Sequence, residues 1–274
     1  MIDVKTYRPA KGSRAECGAR IDDSVELPVL SARRGGPAKR LGGALQNVHP
    51  ALVFVVLMLV GLVATAVLSI CLGLLVTRVL EPNWGIGAAD ERVNVWLATH
   101  RTNSRTDASL IGSIVAGGVV LPILIGVSAI ICAVLRRWRI AAFLVSALAV
   151  ESASYRLTTL VVHSNRPNVA RLENLPVNAS YPSGHTAASI AVYGGLAVLI
   201  ASGVRHGAAR ALALTFALAM VTFVAFSRMY RGMHHPLDVG GGIVVGVVTL
   251  TVLVFVCRTA GATADARKGV RGTG

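Results

Sequence analysis

The chain is short of charge. Of its 274 residues only 15% are Asp, Glu, Lys or Arg, while 54% are hydrophobic. A soluble globular domain carries about 25% charged residues. The deficit comes with several long uncharged runs, which excludes an ordinary water-soluble core and predicts membrane spans. Acidic residues are scarcer still, 13 against 27 Lys and Arg, leaving a formal charge of +14. The basic residues are not gathered on one recognition element but scattered between apolar runs, so nucleic acid is not an expected partner. The four cysteines, Cys17, Cys71, Cys132 and Cys257, have neither metal-ligand nor redox spacing and read as small hydrophobes. There is no internal repeat. The first apolar run opens near residue 50 and is 27 residues long, too late and too long for a cleavable signal peptide.

What is present is a series of apolar runs near the roughly 20 residues that a helix needs to cross hydrocarbon. They cover about 50–76, 108–135, 140–163, 184–204, 211–228 and 237–257, which predicts an all-α, six-span membrane domain over 50–257. Residues 1–49 read as a basic, flexible arm near anionic headgroups, and 258–274 as a flexible polar tail. Six crossings put both termini on one side. The arm, the turn with Arg136, Arg137 and Arg139, the turn with Arg205 and Arg210, and the tail share that side, and the positive-inside rule makes it the cytoplasm. Segment 77–107, with four acidic and four basic residues, falls on the opposite side. Within it VNVWLATH reads as an interfacial amphipathic piece, with Trp84 and Trp96 at headgroup level.

Three polar clusters remain: NRPNVARLENLP at 165–176, YPSGHT at 181–186 and SRMYRGMHHPLD at 227–238. All fall at the outer ends of expected spans, although the topology argument did not use them. Arg166 and Arg228, with Arg171 or Arg231 as further donors, supply guanidinium forks that match phosphate oxygens. Ser183 and Gly184 stand where a span begins, and free amides at a helix start bind anions. His185, His234 and His235 transfer protons or attack near neutral pH. Asp238 follows His234 by four residues, one helical turn, so its carboxylate can orient one imidazole nitrogen and leave the other as a nucleophile. Such a set suits phosphoryl transfer through a phosphohistidine, and it needs no metal or other cofactor.

The clusters resemble the signature of the type 2 phosphatidic acid phosphatase (PAP2) superfamily, K-x6-R-P, P-S-G-H and S-R-x5-H-x3-D. Arg166-Pro167 match the end of the first motif, Pro182 to His185 the whole second, and Ser227-Arg228, His234 and Asp238 the whole third. The resemblance implies a PAP2-type bundle with His234 as nucleophile, Asp238 orienting it, and His185 as general acid. Arg166, Ser183, Gly184 and Arg228 would bind the phosphoryl oxygens. His235 matches no catalytic position and reads as a neighbour that tunes the site or meets headgroups. The first-motif lysine is missing: its place is Thr159, and Arg156, three residues earlier on the same helix face, is expected to replace it in part.

Other residues carry ordinary expectations. Glu151, mid-span, is expected in an interhelical hydrogen bond, with a substrate or proton role as the alternative. Arg171 and Glu173 are expected to pair within their loop, Tyr181 and Tyr230 to anchor at the interface, and GGGIVVG at 240–246 to let helices approach.

The implied reaction is hydrolysis of a lipid phosphate or diphosphate at the outer membrane face. The Ala, Gly, Val and Arg bias and short loops suggest a bacterial inner membrane, and hence undecaprenyl diphosphate turned to monophosphate for carrier-lipid recycling. Alternatives are phosphatidylglycerophosphate, phosphatidic acid or a glycosylated polyprenyl phosphate as substrate, transfer of a headgroup between lipids, and a degenerate lipid-phosphate binding or transport protein. Membrane lipids are the expected surroundings. Oligomeric state leaves no mark in the sequence.

Overall fold

The structure, a computed structural model, describes residues 27–83 and 85–271. The first half of the expected arm and Trp84 therefore lie outside the described residues. The described elements are helices: α1 Pro37–Ala44, α2 Pro50–Leu75 with a wider π turn at Val76–Leu80, α3 Ile86–Thr99, α4 Asn103–Val115, α5 Val120–Val134, α6 Trp138–Val161, α7 Gly184–Ser189, α8 Gly195–Gly203, α9 Gly207–Tyr230 and α10 Pro236–Arg271. A second π turn, Ile190–Gly194, joins α7 to α8 into one span. Pro37, Pro50 and Pro236 each open their helix, where a missing N–H costs nothing because the first amides have no intrahelical acceptor.

Five helices, Pro50–Leu80, Trp138–Val161, Gly184–Gly203, Gly207–Tyr230 and Pro236–Val270, are long and apolar enough to cross a membrane. The expected second span, 108–135, is not one rod. It is α4 and α5, bent by 42° at a break over residues 116–119, and the pair makes a sixth span only if counted as one. Gly117 and Gly118 sit at the break, where glycine weakens a helix most. Leu59, Val60 and Val63 on α2 and Leu212 and Leu218 on α9 are more than half or nearly half exposed. A stripe of that size is stable in lipid, not in water. The chain is a multi-pass membrane protein.

The core lies where α6, α8 and α10 meet, around Phe143, Leu144, Ala147, Val192 and Leu253. The glycines of α10 permit the approach: a Cβ on Gly242 would stand 2.5 Å from the Ser183 carbonyl oxygen, and one on Gly246 2.7 Å from Ile190. The bundle has two distinct ends. At one, α1 lies on the last turns of α10, with Gly42 against Ala262 and Thr259, and Arg258 Nε donates to the Val29 carbonyl at 2.9 Å. Here residues 258–271, expected as an irregular tail, continue α10, and part of the expected flexible arm is the packed helix α1. At the other end stand α3 and the loops 162–183 and 231–235.

Candidate active site

The site begins with the way α9 stops. Gly232 takes φ +69°, its amide donates to Met229 O at 2.9 Å, and Met233 N donates to Arg228 O at 3.0 Å. This double closure reverses the chain with no orphan carbonyl. It delivers His234 and His235 into a tight connection before Pro236 starts α10. Ser183 N donates to Asp238 O at 2.9 Å, which locks the start of α7 against the first turn of α10.

His234 is 2% exposed. Its Nδ1 lies 2.7 Å from the Ser180 carbonyl oxygen, an atom that only accepts, so Nδ1 carries the hydrogen and Nε2 the free lone pair. The expected direct bond from Asp238 is absent: Asp238 Oδ2 stands 3.9 Å from Nδ1. Asp238 instead accepts from Ser180 Oγ at 2.5 Å and from His235 N at 2.8 Å. It holds the residue that holds the histidine. Burial, followed by the Arg228 and Arg166 guanidiniums and His185, keeps the His234 pKa well below the usual histidine value. A neutral imidazole results, with Arg228, Arg166 and His185 near enough to act on it by charge. His185 itself is half-buried in the first turn of α7.

Arg228 is fully buried. Its Nη1 donates to both Glu173 oxygens at 2.9 Å and to Ser113 Oγ, while Nε and Nη2 are buried without a protein partner. Arg231 Nε donates to Glu173 Oε1 at 2.5 Å. Glu173 therefore does not pair with Arg171, which donates instead to Leu175 O at 3.2 Å. Burial alone would raise the Glu173 pKa, but Arg228 and the bonds from Ser113, Arg228 and Arg231 pull it down to about 2.

Arg166 is occupied differently from the expectation. Nε donates to Pro176 O at 2.7 Å, Nη2 to Ala179 O at 2.9 Å and Nη1 to Met233 O. It clamps the residues next to Ser180 and His234, so it shapes the backbone on both sides of the nucleophile. Ser183 Oγ is 3.0 Å from Thr186 Oγ1, and a Cβ on Gly184 would lie 3.1 Å from the Tyr155 ring. Tyr155 thus faces the site from α6, whereas its neighbour Arg156 is exposed and bonds none of the site residues. Thr159 donates to Arg156 O at 3.0 Å within its own helix. Glu151 is 2% exposed, and its only hydrogen bond, from Ser152 Oγ at 3.2 Å, is to its own helix, not across to another. Tyr181 and Tyr230 are both buried: Tyr181 packs against Val162 and α2, and Tyr230 accepts from Thr102 N at 3.1 Å. Neither is an interfacial anchor.

The sequence reading missed α3. Its buried face carries Asp90, Asn94 and Leu97, one turn apart. Asn94 Nδ2 donates to His234 O at 3.0 Å, Asp90 accepts from Leu237 N at 3.2 Å, and Glu91 accepts from Asn168 N at 2.9 Å and lies 3.0 Å from His235 Nε2. The signal was legible as polar residues four apart on a segment taken as interfacial. Among the described residues no group of three or more His, Cys, Asp or Glu forms a metal-ligand set.

The chain is a membrane-spanning α bundle with a histidine and an arginine buried together at one end. Residues 139–261 match the model of the PAP2 superfamily. Among solved structures, the chain resembles the "first transmembrane PAP2 type phosphatidylglycerolphosphate phosphatase from Bacillus subtilis", with TM-score 0.60 and 18% identity over 70% of this chain and 93% of that one. That likeness is one of fold. No curated protein matches the sequence.

Proposed function

We propose that the protein hydrolyses a lipid phosphate through a phosphohistidine on His234, without a metal. The reading rests on one observation above the others. A fully buried guanidinium keeps two unpartnered donors, Nε and Nη2, beside a neutral histidine whose Nδ1 is already committed. Such donors match the equatorial oxygens of a phosphoryl group in transfer. Nε2 of His234 attacks phosphorus as the bond to the lipid oxygen breaks, and His185 gives that oxygen its proton. His185 then takes a proton from water, whose oxygen attacks the phosphohistidine and releases inorganic phosphate and free His234. Arg228, Ser183 and Gly184 hold the oxygens, and Arg166 acts mainly through the backbone it clamps.

The proposed substrate is a polyprenyl diphosphate such as undecaprenyl diphosphate, on the family resemblance and the bacterial composition. A phosphatidylglycerophosphate substrate is the second reading, favoured by the fold likeness to the Bacillus subtilis phosphatase. The basic residues at the opposite end support an inner position for that end and an outward-facing site. Phosphate release by purified protein in detergent with EDTA tests the proposal, using undecaprenyl diphosphate, undecaprenyl monophosphate, phosphatidylglycerophosphate and phosphatidic acid. Release from one lipid, absent in His234→Ala, is expected. No release from any, or release that EDTA abolishes, overturns it.

A further inference from the structure

Two adjacent histidines occupy opposite electrostatic settings. His234 is held neutral. His235 stands between two carboxylates: Nε2 lies 3.0 Å from Glu91 Oε2, a hydrogen bond, and Nδ1 3.5 Å from Asp238 Oδ2, a charge contact without one. Its side chain is 12% exposed. Asp238 is wholly buried, and its Oδ1 has no hydrogen-bond partner. A buried carboxylate calls for a counter-charge near it. His234 is neutral and its Nδ1 serves the Ser180 carbonyl, and Arg166 acts on Asp238 by charge while its donors go to backbone carbonyls, which leaves His235 as the cation in contact.

We propose that His235, held by Glu91, is a positioning residue: it is the counter-charge beside Asp238, and through the Asp238–Ser180 hydrogen bond it fixes the carbonyl that orients His234. The chain of contacts is Glu91 to His235 at 3.0 Å, His235 to Asp238 at 3.5 Å, Asp238 to Ser180 Oγ at 2.5 Å and Ser180 O to His234 Nδ1 at 2.7 Å. It joins α3 to the nucleophile across the α9–α10 connection. Splitting the charge between neighbours lets one histidine attack while the other stays cationic. The groups that face His235 are Glu91 and Asp90 on α3, Asp238 on α10 and Glu81 after the π turn. Burial lowers its pKa, but Asp238 close by, then Glu91 and Asp90, raise it to about 9.

The inference rests on the proposed hydrolysis, and its test separates the two. In purified protein acting on the lipid phosphate that the wild type cleaves, His235→Gln and Glu91→Gln are expected to lower kcat by about tenfold to a hundredfold, as small misplacements of a nucleophile do, with KM within about twofold. The wild type should lose activity as pH rises through about 9. That limb should move to lower pH in Glu91→Gln, which removes a raising charge, and vanish in His235→Gln. Unchanged kcat, or a rise in KM alone, overturns the proposal, the latter by making His235 a substrate contact. Thermal melting in detergent needs no substrate. The His235 pKa is raised above its usual 6.5, so its stabilisation is complete below pH 6.5 and lost as pH rises through about 9. The wild-type midpoint should fall over that window relative to His235→Gln, and parallel curves overturn the counter-ion role. If the wild type cleaves no lipid phosphate, the functional reading fails while the melting comparison still decides this one.

Discussion

The two ends of the bundle treat charge in opposite ways. At the end with α1, Arg33, Arg34, Arg136, Arg137, Arg205 and Arg267 lie in turns and at the surface, mostly exposed. At the other end Arg228, Arg231, Arg166, Asp90 and Asp238 are buried. An exposed arginine is solvated in any rotamer, so it carries orientation and little geometry. A buried one is stable only where partners meet its donors, so each fixes the segment it touches. Arg166 clamps three carbonyls, and Arg228 and Arg231 share one carboxylate. The difference explains how a loop as long as 162–183 holds its side chains in register: it is fixed by buried charge, since it buries few apolar side chains.

Breaking the charged end should have large effects, in a graded order. Alanine for His234 removes the proposed nucleophile and should lower phosphate release by at least about a thousandfold, with no phosphohistidine trapped from a radiolabelled substrate. Arg228→Ala withdraws the buried donors and leaves Glu173 with Arg231 as its one guanidinium, so kcat should fall by about a hundredfold to a thousandfold and the melting midpoint should drop as well. Glu173→Gln keeps the shape but removes the charge. Its loss should destabilise the fold by about 1–3 kcal/mol near neutral pH. Because its folded pKa is depressed to about 2, that stabilisation is present above the usual 4.5 and lost as pH falls through about 2. Melting curves of wild type and Glu173→Gln should therefore converge on acidification, and a constant gap would refute the ion-pair account. Ser180→Ala spares the carbonyl that meets His234 but deletes the hydroxyl that meets Asp238, so kcat should fall by only about threefold to tenfold. Arg258→Ala, at the opposite end, should leave phosphate release within about twofold, and a larger loss would break the contrast between the ends.

How much of this could be read beforehand differs by element. The spans were legible because hydropathy is a sum over neighbours in the chain, yet the break between α4 and α5 was not, since the Gly117-Gly118 pair bends a helix only when packing uses the freedom it provides. The motif residues His185, His234, Asp238 and Arg228 were legible from their order and spacing. Their partners were not. Glu173 meets an arginine 55 residues on, and Glu91 a histidine 144 residues on. Arg166 was read as a phosphate ligand because a guanidinium in such a motif has that chemistry, but which acceptors a fork finds depends on which carbonyls the folded loops leave without amides.

The sequence by itself determined the rough limits of the apolar stretches, the asymmetry of basic charge, and the residue types that can bind and attack a phosphoryl group. These are local properties, set by side-chain chemistry and short-range periodicity. Only the tertiary structure decided that the Ser180 carbonyl orients His234, that Asp238 works through Ser180, that α3 supports the α9–α10 connection, and that Arg156 stays at the surface. Each of these depends on where desolvated donors and acceptors come within about 3 Å of one another, and that distance is fixed by the packing of helices far apart in the chain.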